Sequence, residues 1–286
     1  MPLITSRIPF SSQNPYRPVR PITSKIIFLS FEGSVTEEEY FERVSDIFSE
    51  IRSKIQFISV AEDAVHTAPK RRTPEQAKIL SKVRPKQLVE RIDQFKLEKD
   101  DIYQFEQYPE DEFWIVTDVD KNWSTEIISP SDGKTYLDEW NDAISICQSK
   151  NYGYAVSNPF FEIWLLLHHD VASEVDKSFA VTDEKGYQKT DHFRSRLRDL
   201  GVALEDKKHI NPSDYDAEKV KIAIARAEEL HLDKTDRCPK YFATTVYTLL
   251  NKMMEMLVQL KKLFGRSKEV VTKSGITRII VLHLGG

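Results

Sequence analysis

Apolar and polar positions along this chain change period repeatedly, and each change marks an element. Ile26-Ile27-Phe28-Leu29-Ser30-Phe31 is a short apolar run, the pattern of a strand covered on both faces. From Thr36 the period becomes helical through Phe41, Val44, Ile47, Phe48, Ile51 and Ile55, with Thr36 as N-cap and Glu39 three positions on, a capping box. Ile55-Gln56-Phe57-Ile58-Ser59-Val60 alternates at its start and reads as a second strand. A helix after Pro85 is amphipathic through Leu88, Val89, Ile92 and Phe95, and Phe113-Trp114-Ile115-Val116-Thr117 reads as a third strand. Leu137, Trp140, Ile144 and Cys147 define another helix, ended by Asn151-Tyr152-Gly153, and Tyr154-Ala155-Val156-Ser157 a fourth strand. Asn158 and Pro159 suit the N-cap and first position of a helix that is apolar around its whole circumference from 160 to 167 and therefore buried.

Strands alternating with helices imply parallel pairing through crossovers, so the fold class is α/β: a mostly parallel sheet flanked by helices. Residues 25–170 carry that domain. Residues 1–24 hold five prolines and three arginines without an acid and read as a flexible basic tail. From 171 to 286 the chain is polar and mainly helical, with a basic helical patch at 191–198, long amphipathic helices at 220–230 and 241–264, and a possible edge strand at 276–282. The amphipathic helices and that last segment are candidate docking surfaces, unless the helices only cover the second face of the sheet.

Composition narrows the function classes. The 286 residues suffice for a large core, and the two cysteines exclude a disulfide framework or a Cys-rich zinc site, which suits a reducing cytoplasm. No run reaches the ~18 apolar residues of a membrane span. A net charge of −4 disfavours nonspecific coating of nucleic acid without excluding a local basic groove. Lys70, Arg71 and Arg72 open a basic stretch that either lines a nucleic-acid path or is a solvated loop facing the acidic stretch at 98–112. With nine glycines and neither phosphate-loop spacing, Walker-type and dinucleotide sites are excluded.

The chemistry gathers at strand ends. In open parallel sheets the ligand site lies outside the carboxyl ends of the strands. Glu32, followed by Gly33, stands there after the first strand, and Asp118 and Asp120 after the third. In an extended segment Asp118 and Asp120 point the same way, with α-carbons about 7 Å apart, and can converge on one hydrated Mg²⁺. Gly33 allows a sharp turn or the approach of a phosphate. Glu37 and Glu38 read as first-turn partners of the helix dipole. Glu162 is the one charge of the buried helix, either a structural acid tied to backbone or an arginine, or an accessory member of a metal cluster. His168 and His169 suit a helix end, and also a proton donor.

Phe31-Glu32-Gly33-Ser34-Val35-Thr36-Glu37-Glu38-Glu39-Tyr40-Phe41, Thr117-Asp118-Val119-Asp120 and Ser157-Asn158-Pro159-Phe160-Phe161-Glu162-Ile163-Trp164-Leu165-Leu166-Leu167-His168 resemble the motifs of RloB-like (AbiLii-type) proteins, the third being the most specific. The resemblance runs from about 25 to 260. It departs at Lys121-Asn122-Trp123, where an acidic, Asn-rich segment is usual, and in lacking the usual Asn-Pro near the C-terminus. It implies a Toprim-like fold and a Mg²⁺- (or Mn²⁺-) dependent nuclease of bacterial anti-phage defence, working beside an RloA-like AAA- or ABC-type ATPase. It makes Glu32, Asp118 and Asp120 metal ligands, gives Glu32 and Glu162 catalytic roles, and casts Lys70, Arg71 and Arg72 as candidate phosphate contacts. DNA, RNA and transfer RNA remain open as substrate, as does homo-oligomerisation. Two other readings stand beside it: a catalytically weak module that docks on the ATPase, and a D-x-D phosphotransferase or phosphatase, in which the acid pair normally follows the first strand.

Overall fold

The computed structural model describes residues 25–33, 35–58, 84–178, 191–202 and 209–264. The basic tail, Lys70, Arg71, Arg72 and the segment 276–282 lie outside the described residues. The apolar runs form a five-stranded sheet in the order β2-β1-β3-β6-β7, from β1 (Ile27–Phe31), β2 (Ile55–Phe57), β3 (Glu112–Asp118), β6 (Gly153–Asn158) and β7 (Ala243–Thr244). All pairings are parallel except that of β7 with β6. A small antiparallel hairpin, β4 (Ile127–Ser129) with β5 (Lys134–Thr135), stands apart. The fold is therefore α/β with a mostly parallel sheet, an arrangement compatible with a Toprim-like one.

Both faces of the sheet are covered, which is why its strands are apolar without a break. Ile26 and Phe28 point to one face, against α2 (Pro85–Tyr103) through Leu88, Val89 and Ile92, and against α3 (Tyr136–Lys150) through Trp140, Ala143 and Cys147. Ile27, Leu29 and Phe31 point to the other, against α1 (Thr36–Ile47) through Tyr40, Phe41 and Val44. The same cluster continues through α4 (Glu162–Leu167), α6 (Asp191–Asp199), α7 (Ala217–Leu230) and α8 (Val246–Phe264). A short α5 (Glu174–Lys177) precedes α6. Leu249, Leu250 and Met253 of α8 are fully buried there, so the apolar face of the last helix covers the sheet. Among the described residues, no helix is long and apolar enough to cross a membrane.

Three local expectations change. Thr36 is the first helical residue of α1, and Val35 occupies the cap position without a side-chain cap. Glu39 is drawn away from the helix end by His209 Nδ1 at 2.6 Å and the Ile210 amide at 2.9 Å. Asn158 ends β6 and gives its side-chain amide to the Pro239 carbonyl at 2.8 Å, and α4 begins only at Glu162, with Phe161 in the cap position. The last helix begins at Val246 because Ala243 and Thr244 pair with β6 first, aided by a hydroxyl contact of 3.0 Å between Thr244 and Ser157.

Candidate active site

The chain steps from β1 outward to β2, then back across β1 to β3. The β1/β3 boundary is thus where the strand order reverses, the position at which open α/β sheets bind ligands. A cleft of about 200 Å³ opens at this edge, lined by Gly33, Glu37, Asp118, Asp120, Glu162 and Arg194 among others.

Asp118 is the last residue of β3 and accepts a hydrogen bond from the Phe161 amide. The extended geometry expected from 118 to 120 does not persist. Val119 takes a helical conformation, is fully buried, and donates its amide to the Ser157 carbonyl at 2.8 Å. Asp120 donates its amide to the Pro159 carbonyl at 3.2 Å and sits at φ 29°, a left-handed value that is rare outside glycine. Such strain persists only where surrounding contacts impose it, and it gathers at functional sites. Both acids still reach the same cleft, through a tight turn instead of a straight strand. One oxygen of Asp120, Oδ1, is buried without a hydrogen-bond partner.

Glu32 is half-buried and gripped from behind. It accepts from the Thr117 hydroxyl, from the Asp118 amide at 3.1 Å, and from the Asn122 side chain at 3.2 Å on both oxygens. Asn122 is itself buried and also donates to the Asp118 carbonyl at 2.8 Å. Glu32 therefore braces Asp118 and does not line the cleft wall. Glu37 does, beyond the helix-dipole part expected of a first-turn acid. Its carboxylate accepts from the Gly33 amide and its own. A Cβ on Gly33 would stand 2.0 Å from Glu37 Oε2, so the missing side chain of Gly33 is what lets that carboxylate in. The signal was present in the sequence: a glycine three residues before a helix whose first turn is acidic.

These acids raise one another. Burial is the largest cause at each, and mutual repulsion adds to it. Asp118 is pushed well above the ordinary carboxylate range by burial, then by Glu37, Glu32 and Glu162. Burial lifts Glu37 to about 7, with Glu162 and Glu32 adding to it. Asp120 rises to about 6, again through burial, although Lys121 pulls it back. Glu32 is raised by burial against the pull of its own hydrogen bonds.

Among the described residues, no three His, Cys, Asp or Glu side chains form a ready-made metal cage. The donor set nevertheless fits a hard divalent cation: oxygen only, crowded carboxylates, and an orphaned buried oxygen on Asp120. Mg²⁺ keeps several waters and is held by one or two carboxylates, so it does not require an all-protein cage.

Glu162 is buried and paired with Arg194 of α6, whose Nε and Nη2 both reach Glu162 Oε1, at 3.0 and 2.9 Å. His168 lies away from this chemistry. It is buried, gives Nδ1–H to the Trp164 carbonyl at 2.8 Å, and receives the Tyr40 hydroxyl at Nε2 at 3.0 Å. Burial depresses it to about 3, so it ties α4 to α1 as a neutral imidazole. Comparison with curated proteins and with solved structures gave no significant match. A family model described as RloB-like protein matches residues 27–253.

Proposed function

The chain belongs to the RloB-like family, and from that membership and the acidic cleft we propose that it is a Mg²⁺- or Mn²⁺-dependent nuclease of anti-phage defence that acts with a partner ATPase. The observation that carries this reading is the set of crowded, mutually repelling carboxylates at the β1/β3 edge, with Asp120 Oδ1 unpartnered among them. Asp118 and Asp120 would hold the cation, and Glu32 would brace Asp118 through its amide. Such an ion, when bound, neutralises charge on the phosphate and acidifies water. Glu37, on the cleft wall, is the carboxylate placed to take a proton from the attacking water. Water adds to phosphorus and the bond to the departing sugar oxygen breaks. One proton passes from the water to the carboxylate, and the departing oxygen is protonated from solvent.

The saturation of Glu32 by Thr117, Asp118 and Asn122 favours a second reading, a regulatory module with a weak metal site. One experiment separates the two. The purified protein, alone and with its neighbouring ATPase, is incubated with labelled DNA and RNA with and without Mg²⁺, beside Asp118→Asn. Cleavage that needs Mg²⁺ and is lost in the variant supports the nuclease. No cleavage under any condition, with the ATPase still bound, leaves the module. Mg²⁺-dependent cleavage by the protein alone, at a rate the ATPase does not change, contradicts a part for the partner.

A further inference from the structure

The acidic cleft holds one charge of the opposite sign. Among the described residues lining it, Arg194 alone is basic. Its helix, α6, is held firmly. Phe193 and Leu197 are fully buried. The Phe193 ring packs on Phe160 and Phe242, at centroid distances of 6.2 and 5.9 Å. Arg196 is tied to Asp170 at 2.7 Å. Arg194 is therefore a cation on a rigid element, not on a loop.

A guanidinium is a planar fork with five N–H donors, and it matches carboxylate and phosphate in pairs. Arg194 commits one edge, Nε with Nη2, to the single oxygen Oε1 of Glu162. Its other edge, Nη1 with the outer hydrogen of Nη2, makes no hydrogen bond to the described residues. A phosphodiester approaching Glu37, Asp118 and Asp120 meets repulsion that one divalent ion only partly offsets.

The geometry points to Arg194 as a catalytic residue of the nuclease reading, on which this inference rests: its uncommitted edge receives the non-bridging oxygens of the scissile phosphate, and Glu162 is the positioning residue that holds its other edge. Arg194 exchanges no proton. It stays charged throughout and meets the negative charge that gathers on those oxygens as water adds. This gives the phosphate-contacting role a definite residue, where the sequence offered Lys70, Arg71 and Arg72. It also gives Glu162 a task that needs no metal.

The test uses the full chain and five variants: Asp118→Asn, Arg194→Gln, Glu162→Gln, the double variant Glu162→Gln/Arg194→Gln, and Arg198→Gln as a control, Arg198 being exposed on the same helix. Cleavage of labelled single-stranded DNA and RNA oligonucleotides is measured in Mg²⁺. Binding of the same oligonucleotides is measured in Ca²⁺ over a range of salt, and Tm on each protein. Arg194→Gln is expected to lower kcat about a hundredfold, the scale for losing one donor to developing charge. It should also reduce the salt slope of binding by about one, and lower Tm because Glu162 is stranded. Glu162→Gln should lower kcat less and leave the salt slope unchanged. The double variant should regain Tm while its cleavage and salt slope stay at the Arg194→Gln level, and Arg198→Gln should behave as wild type. If the double variant regains cleavage together with Tm, or if Arg194→Gln cleaves at the wild-type rate, the pair is only structural and this inference fails alone. If wild type is as inert as Asp118→Asn on every oligonucleotide, the nuclease reading fails and takes the inference with it.

Discussion

Gly33 and Asp118 show how single residues set the cleft. Gly33→Ala places a methyl group on the Glu37 carboxylate, and the flexible glutamate must swing out of the wall. The expected outcome is a large loss of activity with a Tm lowered by no more than a few degrees, and no further loss when Glu37→Gln is added to Gly33→Ala. Assaying the two single variants and the double reads that coupling directly. Asp118→Asn removes a charge that Glu37, Glu32 and Glu162 all disfavour. It should abolish activity while raising metal-free stability at pH 8 by about 1 kcal/mol, or some 2–4 °C, as measured by thermal unfolding. A lowered Tm would mean that the repulsion is already relieved. At this scale the sequence was partly legible. Strand-end position identified Glu32, Asp118 and Asp120, because a continuous apolar run ends visibly. Glu37 and Arg194 were not distinguished, because their roles depend on how α1 and α6 dock, and periodicity alone does not show that.

The helices and strands were legible wherever packing follows period. The two faces of β1 and the α4 helix, buried on every side, lie as their patterns imply. The failures are at element starts, where a distant contact outweighs a local cap. Glu39 leaves α1 for His209 and Ile210, and Asn158 leaves α4 for Pro239. The start of α8 is displaced in the same way by the pairing of Ser157 with Thr244, 87 positions apart in sequence and hence invisible to a local window. Because α8 buries Leu249, Leu250 and Met253 in the cluster that holds β1, it behaves as core. Leu250→Ala should cost about 2–5 kcal/mol by denaturant unfolding. A chain truncated after 242 should fail to unfold cooperatively. A truncated chain with a sharp, unchanged transition would show that the C-terminal helices are an independent appendage.

Across the whole molecule, the raised carboxylates link stability to pH and to metal. Below about pH 3 the folded and unfolded chains both hold these protons, and no penalty applies. As pH rises through the ordinary glutamate value of 4.5, the unfolded chain ionises first. The penalty then grows until Asp120 and Glu37 ionise in the folded protein, near 6 and 7. The contribution of Asp120 and Glu37 to metal-free stability should therefore decline between about pH 4 and 7. The Tm gained from Mg²⁺ should be larger at pH 8 than at pH 5.5. Thermal unfolding across that range, in wild type and Asp118→Asn, should show a shallower decline in the variant. The central claim, that this cleft is a divalent-metal site built on Asp118, is tested most directly by calorimetric titration of Mn²⁺ into the two proteins at pH 8. Saturable binding to wild type, lost in Asp118→Asn, is the expected result. Identical heats from both proteins, or no binding to either at millimolar metal, would contradict it.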